Sequence, residues 1–181
     1  MSIQQKYQSA RSQLKNGDII LFSGKGFLAK LIQFFTKGKF NHVGIVWIAM
    51  NRVFILDSNS PGVHPDFLSA RIDIYQDFEI VRINKNQEMI QAAICRLMDK
   101  SQEGTGIKYN FLRLLRIAIK DSFHIDLKYL DQKGCDICSQ FVQIYCAFLN
   151  VKCFALVKLP LITPMDYNDR LDWNEGEILF R

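Results

Sequence analysis

Two apolar, β-branched runs, Val43 to Ile48 and Val53 to Asp57, are separated only by Ala49-Met50-Asn51-Arg52. So short a link cannot cross a sheet to make a parallel neighbour, which takes a dozen residues or more. The two runs are therefore expected to form an antiparallel hairpin, and any fold open to this chain must contain it. The alternation also fixes sidedness. His42 opens the first run with Gly44 and Val46 on its own face, and Val43, Ile45 and Trp47 take the other.

Further strands are expected around it. Asp18-Ile19-Ile20-Leu21-Phe22 reads as a buried strand closed by Ser23-Gly24-Lys25-Gly26, with Asp18 a turn residue after Gly17. Val63 to Leu68, after the turn at Pro61-Gly62, reads as extended, Phe78 to Ile83 as a strand, and residues 151 to 158 as another before a loop over Leu159 to Pro164. Helices are expected over residues 3 to 14, stopping before Asn16-Gly17, and over Phe27 to Thr36, with Leu28, Leu31, Ile32 and Phe35 at helical spacing. Asn86 to Gln102 follows, with Met89, Ile90, Ala93, Leu97 and Met98 facing inward, then Phe111 to Ile119 and Cys138 to Leu149. Repeats, low-complexity tracts and linkers are lacking. The spacing predicts a single α+β domain over residues 1–181, a mainly antiparallel sheet packed against helices.

Composition narrows the function classes. With 49% apolar and 23% charged residues the chain is not disordered. Its net charge of +5 is spread, without a basic block or a basic-aromatic stripe, so nucleic acid is not an expected partner. The first residues lack the pattern of a signal peptide, and no apolar run nears the roughly 20 residues that span a bilayer. Five cysteines, an odd number, then suggest reduced thiols and a cytoplasmic location.

Among those cysteines Cys138 stands out. With Asp136 as N-cap it falls in the first turn of an apolar helix, where free amides and the helix dipole favour thiolate over thiol. The same amides, Ser139 among them, could bind the oxyanion formed when a carbonyl is attacked. The plainer reading is a core cysteine, which is how Cys146 and Cys153 read. Cys135 makes a Cys-x-x-Cys with Cys138, but the strand that leads into thioredoxin-like redox motifs is missing upstream. Zinc would need a second Cys-x-x-Cys or a His pair, so neither metal nor other cofactor is expected.

Hairpin geometry gives Cys138 its potential base. A turn near residues 49 to 51 sets His42 opposite a residue close to Asp57, whose carboxylate could orient the imidazole towards a thiol. A one-residue slip would bring Ser58 or Leu56 there instead, and His64 is the runner-up orienter. Tyr109, after a glycine-bearing loop, could donate to an oxyanion or substrate, or simply pack. Arg113, Arg116 and Lys120 share one side of the 111–119 helix, either as a solvated face or as a contact with an anionic membrane.

These segments together resemble the circularly permuted branch of the NlpC-type papain-like cysteine hydrolases: the YiiX-like bacterial proteins, poxviral relatives and, more distantly, the lecithin retinol acyltransferase group. The anchors run in order from Gly17 to Asp166: Gly17-Asp18-Ile19-Ile20-Leu21-Phe22, Phe40-Asn41-His42-Val43-Gly44-Ile45, Phe54-Ile55-Leu56-Asp57-Ser58 with Pro61-Gly62-Val63, Gly106-Ile107-Lys108-Tyr109-Asn110-Phe111, Cys138-Ser139-Gln140-Phe141-Val142 and Ile162-Thr163-Pro164-Met165-Asp166. Permutation accounts for a histidine that precedes the cysteine. The resemblance implies a permuted papain-like fold with the nucleophile at a buried helix N-terminus: Cys138 as nucleophile, His42 as base and Asp57 as orienting acid. The family more often carries Ser and Glu where this chain has Asn41 and Asp57.

The expected activity is hydrolysis of an amide, peptide or N-acyl, through a thiol acyl-enzyme, on a small-molecule or peptide substrate. Its rivals are a thiol acyltransferase or lipid-acyl hydrolase at a membrane surface, a non-catalytic binding module on the same fold, and a redox protein using Cys135 and Cys138.

Overall fold

In a computed structural model that describes residues 1–36, 38–59, 62–102, 108–109, 135–136, 138–151 and 176–180, the hairpin forms from β2 (His42–Ala49) and β3 (Arg52–Asn59). Ala49 pairs with Arg52, so only Met50 and Asn51 make the turn, at φ 50° and 59°. Positive φ at both positions is the primed turn whose twist suits neighbouring strands. On the other side of β2 lies β1 (Ile19–Gly24), then β5 (Tyr75–Ile83), then β8 (Gly176–Phe180), while β4 (Gly62–Phe67) flanks β3. All five pairings in this six-stranded sheet are antiparallel. β1 is buried along its whole length, which explains a run without polar alternation. Pro65, which has no N–H to give a ladder, sits in β4 at the sheet edge.

Side-chain alternation splits the core in two. One face carries Ile19, Leu21, Val43, Ile45, Leu56 and Val81, covered by α4 (Gln87–Gln102) and α5 (Cys138–Phe148). Ile20, Phe22, Val46, Ile55, Phe78 and Ile80 face the other way, under α1 (Ile3–Arg11), α3 (Leu68–Arg71) and a 3-10 turn over Ile72–Ile74. α2 (Phe27–Thr36) follows β1. A parallel pair of two-residue strands, β6 (Lys108–Tyr109) and β7 (Cys135–Asp136), stands apart from the main sheet. Gly17, at φ 84°, gives its carbonyl to the Tyr145 hydroxyl at 3.2 Å, and any side chain there would run into Tyr145 and Ile90.

Several expectations need correcting. The first helix stops at Arg11 rather than 14, held at its start by a capping box of Ser2 and Gln5. Met89 is exposed on α4, and Ile94 takes the inward place beside Ile90, Ala93 and Leu97. Leu68 does not extend β4 but begins α3. Asp136 is paired in β7 and α5 starts at Cys138, so Asp136 is not the capping residue. Asp18 does close a turn, its N–H on the Lys15 carbonyl at 3.2 Å, but it is also buried, and Arg82 grips it through Nε and Nη2 at 2.8 Å each. The expected 111–119 helix with Arg113, Arg116 and Lys120, the 151–158 strand beyond Val151, and Cys153 lie outside the described residues.

Candidate active site

His42 is the first residue of β2 and pairs with Phe22 of β1. The residue before it fixes that junction. Asn41 donates its N–H to the Phe22 carbonyl at 3.0 Å, and its side-chain oxygen accepts the Gly24 N–H at 2.6 Å. The imidazole is thus delivered at the end of a strand locked against β1, on the face that bears Phe22 and Val46.

The hairpin register runs Ile45↔Leu56, so one further step sets Asp57 across from Gly44, not from His42. The two side chains share a face and meet on the diagonal, a distance long side chains can span. His42 Nε2 donates to Asp57 Oδ2 at 2.6 Å, and the carboxylate is fully buried. His64 lies directly across β4 from Asp57, yet its ring meets Asp66 at 3.2 Å. Of the two candidate orienters, Asp57 is the one that bonds the imidazole.

Two residues without any local sequence signal complete this cluster. Arg71, at the end of α3, donates from Nη2 to the same Asp57 oxygen at 3.2 Å. Its Nε is buried without a hydrogen-bond partner, 3.7 Å from an Asp66 oxygen. Tyr75 opens β5, and the β1–β5 register shifts between Ser23 and Gly24 beside it. Its ring lies nearly parallel to the imidazole (centroids 5.9 Å apart, planes at 10°) and against Phe22 at 4.1 Å. A hydrogen bond joins its side chain to Arg71. Arg71 and Tyr75 come from a short helix and a strand start, where no periodicity marks a role.

Cys138 is the first residue of α5, 2% exposed and a free thiol, on a helix that packs against β2 and β3. It lies close enough to His42 to influence the imidazole's pKa. Because Nε2 is held by Asp57, Nδ1 is the nitrogen left to meet a thiol. Ser139 is the second residue of the same helix, so its backbone lies in the first turn. Tyr109 pairs with Asp136 in the β6–β7 ladder, which places its backbone two residues upstream of Cys138, where β6 also meets β3 and β4. Cys135 stands in β7, one strand and a helix start away from Cys138.

Charge couples the members. Burial is the largest influence on His42 and favours the neutral ring, but Tyr75, Cys138 and Asp57 together outweigh it and lift its pKa well above the ordinary histidine range. Burial also raises Tyr75, which is therefore a neutral phenol at physiological pH. At that pH the imidazolium is supported by Asp57. Burial alone would raise Asp57, yet the His42 hydrogen bond and the charges of His42 and Arg71 hold it below the usual carboxylate range. The arrangement is a thiol, an imidazole and an ionised carboxylate in series, which can move a proton from sulfur to nitrogen and hold it there.

No protein-family model and no curated protein matches the sequence. Among solved structures the chain is similar to the metalloprotein YiiX of Escherichia coli O157:H7, with 16% identity, a TM-score of 0.56, and coverage of 93% of this chain and 98% of YiiX. The metal that this description attributes to YiiX finds no obvious seat here. Among the described residues no three His, Cys, Asp or Glu side chains gather around a point. His42 is hydrogen-bonded to Asp57, and Arg71 already supplies the positive charge beside that carboxylate. A cation there would add charge to charge, so the described residues do not fit a metal centre. No described helix is long and apolar enough to cross a membrane. What the chain shares with YiiX, over nearly the whole length of both, is the fold.

Proposed function

We propose that this protein is a cysteine hydrolase that cleaves an amide bond, peptide or N-acyl, through an acyl-enzyme on Cys138. One observation carries the reading: His42, hydrogen-bonded to the buried Asp57, lies near Cys138, and that thiol is the first residue of a buried helix. His42 takes the thiol proton on Nδ1, and the sulfur attacks the carbonyl carbon. The backbone amides of the first turn, Ser139 included, receive the oxyanion, and Tyr109 stands on the segment alongside. Collapse breaks the C–N bond, and the imidazolium gives its proton to the departing amine. Water then attacks the thioester while His42 takes its proton, releasing the acid and restoring the thiol.

Asp57 keeps the ring in the tautomer and rotamer this needs. Arg71 and Tyr75 act through others, Arg71 by holding Asp57 and Tyr75 by stacking on the ring. The substrate is a small molecule or peptide bearing an acyl amide, and the protein works in a reducing compartment such as the cytoplasm. Among the described residues Cys95 and Cys138 are free thiols, which supports that placement.

The test is to trap the intermediate. Incubation with a panel of activated acyl esters and N-acyl amides, followed by acid quench and mass spectrometry, should show one acyl group on the peptide containing Cys138. His42→Ala should abolish it. Acylation spread over several cysteines, or undiminished in His42→Ala, would contradict the proposal.

A further inference from the structure

The far end of the β3 strand holds a second constellation that the hydrolase reading does not use. Tyr7 and Arg11 of α1, Arg52 and Val53 at the start of β3, Phe67 at the end of β4 and Ser69 of α3 line a cavity of about 290 Å³. A neighbouring groove of about 380 Å³ continues from it, sharing Arg11 and Val53. Arg52 and Asp57 are separated by five steps along an extended strand, on the order of 16 Å, so the cavity is remote from His42.

Its arginines differ from the two that are tied into the fold. Arg71 and Arg82 are each held by a buried carboxylate. Arg11 and Arg52 have no acidic partner among the described residues, and Arg52 instead lies over the Phe67 ring, 5.3 Å from its centre. Tyr7 is 2% exposed as a residue and lines the cavity beside Arg11. Burial raises its pKa while the charge of Arg11 opposes that rise, in keeping with a guanidinium near the phenol. A phenol and two guanidiniums without an acidic partner among the described residues thus share one pocket with the apolar side chains of Val53 and Phe67. Pockets of this kind fix a ligand by a few placed polar groups and take most contact from apolar surface.

We propose that this cavity binds a phosphate monoester of a small organic molecule, with the phosphate on Arg11, Arg52 and the Tyr7 hydroxyl and the organic part against Val53 and Phe67. The charge selects this class over a carboxylate. A phosphate monoester carries roughly −1.5 to −2 at pH 7 with three acceptor oxygens, matching two guanidiniums and a hydroxyl, whereas a carboxylate carries a single charge.

Titration with phenyl phosphate and with benzoate at fixed ionic strength, followed by calorimetry, tests this. Phenyl phosphate should bind at least tenfold more tightly than benzoate. Arg11→Gln and Arg52→Gln should each weaken it by about tenfold or more, and Tyr7→Phe by a few-fold. Arg96→Gln removes the same charge from exposed α4 and should change nothing; His42→Ala should also bind normally, since the cavity stands apart from the thiol site. Absence of phenyl phosphate binding, benzoate binding as tight, or an Arg96→Gln loss equal to that of Arg11→Gln would overturn the proposal. Circular dichroism of each variant guards against loss of fold.

Discussion

Asp18, just before β1, and Asp57, within β3, are both buried aspartates gripped by an arginine, and they do different things. Asp18 receives Arg82 through two nitrogens at 2.8 Å and the Lys15 N–H at 2.8 Å, while its backbone carbonyl takes the Val46 N–H. That is a satisfied, bidentate pair tying β1 to β5, with no titrating partner. Asp57 receives one arginine nitrogen and an imidazole on a single oxygen, and the arginine's Nε is left without a partner. A bidentate pair of two permanent charges fixes a fold, whereas a carboxylate bonded to a histidine that lies beside a thiol belongs to a group that can change its protonation and do chemistry.

The contrast can be broken by experiment. Cys138→Ala should lower turnover by about 10⁴-fold or more with the fold intact, as expected when a nucleophile is removed from a unit that acts together. Asp57→Asn should cost about 10²-fold to 10⁴-fold in kcat/KM and comparatively little stability, because the amide keeps the shape but not the charge. Asp18→Ala should do the reverse. It strands a largely buried guanidinium, costs about 3 kcal/mol in denaturant unfolding, and leaves turnover per folded molecule near the parent value. Equal effects of the two substitutions on both readouts would erase the distinction.

The pH profile sharpens it. His42 has a raised pKa, so the imidazolium persists above the ordinary histidine range, and the alkaline limb of kcat/KM should lie above about 6.5. Asp57→Asn removes one of the supports of that charge and should move the limb to lower pH. For stability, protonated His42 contributes fully below about 6.5, the unfolded value, and the contribution is lost as pH rises through its raised folded value. Asp57 contributes above about 3.9, lost as pH falls through its lowered folded value.

Smaller effects should follow from the supporting residues. Arg71→Ala should reduce kcat by about tenfold and move the pH limb, with Arg71→Lys recovering part of both. Tyr75→Phe keeps the stack but loses the hydrogen bond to Arg71, for a few-fold loss in kcat at nearly unchanged KM. His64→Ala should stay within about 0.5 kcal/mol in stability and near parent activity, since its ring meets Asp66 at the partly exposed edge.

The legible parts of this molecule were those governed by neighbours in sequence. The two-sided alternation of β2 and β3, the unbroken run of β1 and the apolar helix after Cys138 are local patterns, and each appears where its period puts it. His42 and Asp57 were findable because a short hairpin limits which residues can face each other, although the register made them diagonal rather than opposite. Arg71 and Tyr75 were not. Their place at the imidazole depends on a four-residue helix, a 3-10 turn and an irregularity in the β1–β5 ladder, none of which leaves a periodic trace. The arginine partner of the turn residue Asp18 was hidden for the same reason, since Arg82 is 64 residues away. β8 escaped because one short edge strand, Gly176–Phe180, carries too few residues for its pattern to stand out.

The central claim is that His42 activates Cys138, and exposed Cys95 provides an internal standard for it. The decisive measurement is the rate of alkylation of each cysteine by a small haloacetamide at neutral pH, read peptide by peptide in the parent and in His42→Ala. The account predicts that Cys138, although nearly buried, reacts faster than Cys95, and that His42→Ala slows Cys138 by about 100-fold while Cys95 is unchanged. Cys138 reacting no faster than Cys95, at a rate His42→Ala leaves untouched, would contradict it.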